Sequence, residues 1–341
     1  MRALITGIEG QDGFYLSRLL QEKGYEVMGV VRKKAMTFDE IHVHEERPTV
    51  RRIYADLNDY SSIMSAISET QPDEIYNLAG QSEIPLSWKQ PFIMAEVNAI
   101  GVLRVLEAIR IIKPDVRFFQ ASSSEIFGDS SGKPCNEESA VCPRNPYGTA
   151  KLFAHNCVKN YREHYGLFAC NGILFNHESP RRNPEFVTRK ITIAAARAAL
   201  GYSDVLELGN LNAMRDWGCA IDYVRAMWEL LQRDRPQDTV IATGESHTVR
   251  EFTTVAYSCA GRPIVWENVG LEEKARFADT GELAVRVEPS LVRYPLVDTI
   301  VSDPKKLYQE LHFTRSYQFR DLVSLMVQND IQLLKKLVIR S

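Results

Sequence analysis

The segment Gly7-Ile8-Glu9-Gly10-Gln11-Asp12-Gly13 constrains this chain more than any other. Before it lies a short apolar, β-prone run, Arg2 to Thr6, and after it Phe14 to Glu22 reads as a helix. Strand, glycine-rich turn and helix in that order form the dinucleotide-binding arrangement. The glycines permit a tight turn and close backbone approach to a pyrophosphate, which then sits at the helix N-terminus. The spacing is G-x-x-G-x-x-G rather than the G-x-G-x-x-G of simple dehydrogenases. The next strand, Glu26 to Val31, ends in Arg32-Lys33-Lys34. The end of the second strand in such a fold reaches the adenosine ribose, where an acidic residue favours NAD and a basic one accommodates the 2′-phosphate of NADP. Arg32 and Lys33 therefore point to NADP.

The rest of the N-terminal half repeats the alternation. Strands are expected at 2–6, 26–31, 51–55, 74–78, 116–122 and 168–174, and helices at 12–22, 60–69, 91–112 and 146–164. Strands separated by helical runs predict an α/β fold, a doubly wound parallel sheet with helices on both faces. Ligands bind such a sheet at the carboxyl ends of its strands. That edge is where Asp56, Leu57, Leu78, Ala79 and Gly80 fall, and where Ser122 to Glu125 follow a strand end. The pattern is less regular after about residue 175. The expected division is a dinucleotide-binding domain over 1–174 that carries the catalytic residues. Residues 175–341 form a smaller, mainly substrate-binding α/β region, with some segments returning to the first sheet.

Composition narrows the function class. The hydrophobic fraction is 45% and the formal net charge is −3, which suggests neither disorder nor a nucleic-acid field. The six cysteines and seven histidines make no metal-ligand spacing, so no metal is expected, and the thiols look like those of a reduced, cytoplasmic protein. No apolar run approaches the roughly 20 residues of a membrane span. The first strand begins at once, which leaves no room for a signal peptide.

The chemistry concentrates between residues 123 and 151. Tyr147 and Lys151 are four apart and share a helical face. A lysine ammonium beside a phenol stabilises the phenolate, so that the phenol can serve as a base. The Ser123 hydroxyl can hold a substrate oxygen beside that base, and Glu125 supplies a second, independent acid/base. One base for an alcohol proton and one for a carbon proton suggest redox followed by elimination. Downstream, Arg181-Arg182, Arg189-Lys190, Arg215 and Arg293 stand out in a slightly acidic protein. Arginine recognises diphosphate through its planar fork, so these cations suggest a small anionic substrate.

These residues resemble the GDP-mannose 4,6-dehydratase family, of the extended short-chain dehydrogenase/reductase class. The resemblance runs over nearly the whole chain. It is carried by Ile5 to Gly13, Ile75-Tyr-Asn-Leu-Ala79, Gln81-Ser82, Gln120-Ala-Ser-Ser-Ser-Glu125, Pro146-Tyr-Gly-Thr-Ala-Lys151, Asn171 to Arg182, Phe186-Val-Thr-Arg-Lys190, Leu208-Gly-Asn-Leu211, Arg215-Asp-Trp-Gly218 and Val240 to Glu245. It implies an NADP-dependent hydro-lyase that makes a GDP-4-keto-6-deoxy sugar for deoxysugar synthesis, as a homodimer or homotetramer. Tyr147 would take the sugar O4 proton, Lys151 would support Tyr147 and hold the nicotinamide ribose, and Ser123 would hydrogen-bond O4. Glu125 would then remove the C5 proton made acidic by the new C4 ketone, and help water leave from C6. Cofactor contacts would come from Gly7 through Gly13, from Arg32 and Lys33, from Asp56 and Leu57, and from Leu78, Ala79, Gly80 and Ser82. Lys151, His177 and Arg182 would complete them. Substrate contacts would come from Ser82, Ser124, Asn176, Lys190, Arg215 and Arg293.

Several positions depart from the family pattern. The usual catalytic Thr is Ser123. The Ser-His-Val near the sugar is Ser82-Glu83-Ile84, and a Tyr near the nicotinamide is Ile93. Cys219 replaces His after Arg215-Asp-Trp-Gly218, and Leu296 replaces a Glu. The loop after Arg32 is shorter and lacks the Asn-Thr-x-Arg that joins cofactor sites across subunits. A GDP-manno-heptose or another modified GDP-sugar therefore stays open as substrate beside GDP-mannose. A nucleotide-sugar reductase or epimerase, and a non-catalytic NADP-binding regulator, are the alternative readings. Glu125 argues against the 4-epimerases, which lack an acid there. Ser124 argues against the dTDP-glucose dehydratases, which carry an Asp-Glu pair.

Overall fold

The structure, a computed structural model, describes residues 1–32, 50–130, 132–292 and 300–340. The described chain divides into two compact units. The first comprises Met1–Phe175, Ala220–Ala242 and Ser302–Thr314, and the second Asn176–Cys219, Thr243–Val301 and Arg315–Ser341.

The first unit is built on a seven-stranded sheet. Its strands are β1 (Arg2–Thr6), β2 (Glu26–Val31), β3 (Arg51–Tyr54), β4 (Glu74–Asn77), β5 (Arg117–Ser123), β6 (Ala169–Leu174) and β7 (Thr239–Ile241). Every pairing is parallel, in the spatial order β7-β6-β5-β4-β1-β2-β3. The doubly wound parallel sheet read from the sequence is thus present. Chain direction across the sheet reverses between β1 and β4, the switch point at which such folds bind ligands. Both faces are covered, so β4 and β6 are buried at every residue, as parallel sheets require.

Helix α1 (Gln11–Glu22) buries Phe14, Leu16 and Leu20 against the sheet, each worth about 1.5–3 kcal/mol of removed apolar surface. Helix α2 (Tyr60–Thr70) starts at Asp59, whose side chain accepts from the Ser61 and Ser62 N–H groups at 3.0 and 3.3 Å. Helix α3 covers Gly101–Ile112. Helix α4 (Pro146–Tyr165) has Asn145 as its N-cap, Pro146 in its first turn and Gly166 at φ 68° just past its end. That is the local chemistry expected of a sharply bounded helix.

The expected helix over 91–112 is not continuous. An α-turn at Pro91–Ala95 passes into a π-turn at Glu96–Ile100 before α3 begins. A π-turn inserts one residue per turn and shifts the side chains that follow, which a 3.6-residue period in the sequence does not reveal.

At the carboxyl edge a buried polar ladder ties three strands in register. Thr6 Oγ1 donates to Asn77 Oδ1 at 2.6 Å, and Asn77 Nδ2 donates to Gln120 Oε1 at 2.8 Å. These are partners across β1, β4 and β5. A one-residue slip would strand all three polar groups in the core, so the ladder fixes register as well as position.

The second unit contains a four-stranded sheet of Leu206–Leu208, Ile264–Glu267, Lys274–Phe277 and Leu283–Val287. Helices Val187–Ala199, Val249–Cys259 and Phe319–Arg340 accompany it. Arg189 and Asp330, each 1% exposed, pair inside this unit and join the first of these helices to the last. Among the described residues no helix is long and apolar enough to cross a membrane.

Candidate active site

The turn after β1 is shaped by steric necessity. Gly7 has φ +71°, and a Cβ there would lie 2.8 Å from the Ala79 backbone nitrogen. A Cβ on Gly13 would lie 2.4 Å from the Gly7 carbonyl oxygen. Neither position admits a side chain, so the turn packs backbone on backbone and leaves the first N–H groups of α1 at its rim. Thr6 Oγ1 also accepts the Ala79 N–H at 3.1 Å. The ends of β1 and β4 are therefore fixed to each other where a pyrophosphate would lie. Beside them an apolar cavity is lined by Val30, Ala55, Asp56, Leu57, Ile63 and Val105. Arg104 in α3 donates to the Leu57 carbonyl at 3.1 Å. Arg32 is exposed just past β2. Lys33, and Arg293 and Leu296 farther on, lie outside the described residues.

The proposed catalytic residues gather where β5 meets α4. Ser123 ends β5, and its Oγ accepts the Glu125 N–H at 3.2 Å, which opens the short 3₁₀ turn Ser124–Ile126. Ser123, Ser124 and Lys151 are 7%, 6% and 6% exposed, and Tyr147 is 9% exposed. Tyr147 packs with Met94, Ala99 and Ala150. The Lys151 ammonium is 5.7 Å from the centre of the Tyr147 ring and donates to the Ala121 carbonyl at 2.8 Å. Burial pushes the Lys151 ammonium down to about 8, against the opposing pull of the Asp12 carboxylate. The Glu125 carboxylate accepts from the Asn145 amide at 2.8 Å. A phenol, an ammonium, a hydroxyl and a carboxylate thus come from one strand end and one helix start.

Asn98 is a site-forming residue that the sequence reading missed. It sits in the π-turn at 1% exposure. Its Oδ1 accepts the Gln81 N–H at 2.9 Å and its Nδ2 donates to the Gln81 carbonyl at 2.7 Å. The segment Leu78–Ser82 is held by that bidentate clasp. A Cβ on Gly80 would lie 2.7 Å from Asn98 Oδ1 and 3.7 Å from Lys151 Nζ, so Gly80 is what lets these two approach. Helical spacing in the sequence does not mark Asn98, because the π-turn shifts the face on which it lies.

In the second unit two separated motifs meet. Asn176–Glu178 pairs in parallel with Trp217–Cys219, with His177 opposite Gly218. Asp216 is fully buried and accepts from the Thr243 and Gly244 N–H groups at 3.0 and 2.8 Å, which fixes the neighbouring Arg215 backbone. Arg215 itself donates to the Met214 carbonyl at 2.7 Å. Arg182 pairs with Glu178 at 3.2 Å and stacks 3.7 Å over Phe186. Lys190 is exposed, 3.7 Å from Glu185. Arg189 does not join this set of cations, because its pairing with Asp330 commits it to the core of the unit.

The family model described as GDP-mannose 4,6 dehydratase matches residues 4–326. The GDP-mannose 4,6-dehydratase of Sinorhizobium fredii is 46% identical, over 98% of this chain and 97% of its own. The GDP-mannose 4,6 dehydratase of Homo sapiens is 44% identical, over 98% of this chain and 92% of its own. Among solved structures, a Thermus thermophilus UDP-glucose 4-epimerase in complex with NAD superposes with a TM-score of 0.79, covering 97% of this chain and 99% of its own at 24% identity. That likeness extends the shared fold beyond the sequence relatives. With the family's pattern matched from the first strand to the last long helix, the chain belongs to the GDP-mannose 4,6-dehydratase family.

Proposed function

We propose that this protein is a hydro-lyase that converts GDP-mannose to its GDP-4-keto-6-deoxy derivative, with NADP as an internally recycled cofactor. The observation that carries the reading is the junction of β5 and α4, where Tyr147 with Lys151 and the separate carboxylate Glu125 come together. A simple 4-reductase or 4-epimerase needs the first pair and has no carbon proton for a second base to remove. A non-catalytic dinucleotide-binding protein needs neither. The relatives named above carry the dehydratase name over nearly the whole chain.

The residues present suit a dinucleotide. The glycine turn excludes side chains where a pyrophosphate would pass, and Asp56 and Leu57 follow the end of β3 at the carboxyl edge where the adenosine half of a dinucleotide would lie. Arg32 supplies a cation for the 2′-phosphate, with Lys33 beside it in sequence. A bound nicotinamide supplies a hydride acceptor for C4–H and afterwards a hydride donor to C6. The protein's own residues handle the protons. Tyr147 takes the O4 proton, and the Lys151 charge stabilises the phenolate. Ser123 holds O4 in place. Glu125 takes the C5 proton and hands a proton to the departing C6 hydroxyl, which leaves as water. On the nucleotide side the reading assigns Asn176, Lys190, Arg215 and Arg293 to the GDP moiety.

The substitutions Glu83, Ile84 and Ile93 near the expected sugar position favour one second reading, a GDP-manno-heptose or another modified GDP-sugar. Product mass separates the two. The purified protein is expected to remove one water from GDP-mannose without net consumption of NADPH. Water loss from a UDP- or dTDP-sugar alone would overturn the nucleotide assignment. Arg32→Asp is expected to reverse the preference for NADP over NAD, and tighter binding of NAD by the unaltered protein would refute that role.

A further inference from the structure

Asn145 connects two jobs that the sequence keeps apart. As N-cap of α4 it accepts the Gly148 N–H on Oδ1 at 2.8 Å. Its Nδ2 donates to Glu125 Oε2 at 2.8 Å. The cap decides which way the amide points. Gly148 offers a donor, so the oxygen must face it and the NH₂ must face Glu125. The surroundings allow little slack. A Cβ on Gly148 would lie 2.5 Å from the Glu125 carbonyl oxygen, and the Cys142 N–H donates to the Ile126 carbonyl at 3.0 Å. The turn bearing Glu125 and the first turn of the helix bearing Tyr147 and Lys151 are thereby clamped together.

We propose that Asn145 is a positioning residue for the elimination step: it holds Oε2 of Glu125 as an acceptor and so assigns the proton-transfer role to Oε1. An amide NH₂ can only donate, so Oε2 stays an acceptor whether or not Oε1 carries the C5 proton. In the step served, the C5–H bond breaks, its electrons form the C5–C6 double bond, and the C6–O bond breaks. Glu125 Oε1 receives the C5 proton and passes a proton to the departing oxygen, which leaves as water. The inference rests on the proposed role of Glu125 as that base.

The test separates the cap from the donor. Asn145→Ser keeps a capping oxygen and loses the reach to Glu125. Asn145→Asp keeps the cap and places an acceptor where the donor was. Both variants are expected to retain the thermal midpoint within a few degrees, since both are good caps. Both are expected to oxidise substrate at C4, read as absorbance of reduced nicotinamide in a single turnover. Water elimination is expected to slow about a hundredfold, the cost of a small misplacement at a reacting group, so that reduced nicotinamide accumulates. Elimination at the unaltered rate in Asn145→Ser would overturn the proposal, whatever Asn145→Asp does, and so would equal slowing of oxidation and elimination. Glu125→Gln is run beside them. Loss of elimination there with normal elimination in Asn145→Ser defeats only the Asn145 assignment, whereas normal elimination in Glu125→Gln defeats the base itself.

Discussion

Lys151 in the first unit and Arg189 in the second are both buried cations, at 6% and 1% exposure, and their surroundings differ in kind. Arg189 faces a carboxylate, Asp330, and also donates to the Arg182 carbonyl at 3.1 Å. Lys151 donates to a backbone carbonyl and lies against a phenol ring. Desolvation of the Arg189 charge is offset locally, which serves a fixed connection between two helices. Desolvation of the Lys151 charge is left largely uncompensated, and its proton is held loosely, near about 8. A buried cation with its counterion belongs to the fold, and one without a close counterion belongs to the chemistry.

Exchanging each cation for a neutral side chain breaks the comparison most forcefully. Lys151→Met is expected to lower turnover about 10²–10⁴-fold, the range for losing effective acid–base catalysis. In cofactor-free protein the same change should raise stability near neutral pH. The folded value of Lys151 is depressed, so its stability contribution is full only above its ordinary value and is lost as pH falls through about 8. Removing the side chain at pH 7 relieves that cost, for a net gain of about 1–2 kcal/mol after the hydrogen bond to Ala121 is given up. Urea unfolding beside a turnover assay measures both. A less stable Lys151→Met protein would contradict the comparison.

Arg189→Met should do the reverse. It strands a buried carboxylate and should cost about 3–5 kcal/mol of stability. Burial already pushes the Asp330 carboxyl up despite the opposing pull of Arg189. Converting the second partner as well, Asp330→Leu, should therefore recover most of the loss. A double variant as unstable as the single one would show that the pair contributes something beyond mutual neutralisation.

The pH profile sharpens the contrast more gently. Turnover per substrate encounter should decline as pH rises through about 8, where Lys151 loses its proton. Lys151→Arg should shift that limb upward, because a guanidinium keeps its charge. An unchanged limb would remove Lys151 as its source. The smallest effect belongs to Asp59→Ala at the start of α2, which loses a cap and about 1 kcal/mol of stability. Turnover should be unaffected there.

The features legible in the sequence are those set by local spacing. The turn from Gly7 to Gly13, the strand ends at Leu78 and Ser123, and the Tyr147–Lys151 pair each lie within a few residues of the signal that marks them. The strands and helices expected before residue 175 fell within one or two residues of their observed bounds, apart from the one interrupted by the π-turn, whereas the helix Ile84–Lys89 and the sheet strand Thr239–Ile241 were not expected. Arg189 was illegible, because it reads as one more cation on an amphipathic helix while its partner is 141 residues away. Asn98 was illegible for a different reason, since the π-turn departs from the period by which helical faces are recognised. The cap at Asn145 is local, but its second bond depends on how β5 and α4 dock, and no spacing encodes that.

Isotope transfer within one substrate molecule tests the central claim most directly. GDP-mannose carrying deuterium at C4 is incubated with the protein and a substoichiometric amount of NADP, and the product is examined by mass and by NMR. The account predicts loss of one water, deuterium now on C6, and a solvent-derived hydrogen at C5, where Glu125 exchanges its proton. Deuterium released to solvent, or a product that has lost no water, would contradict it.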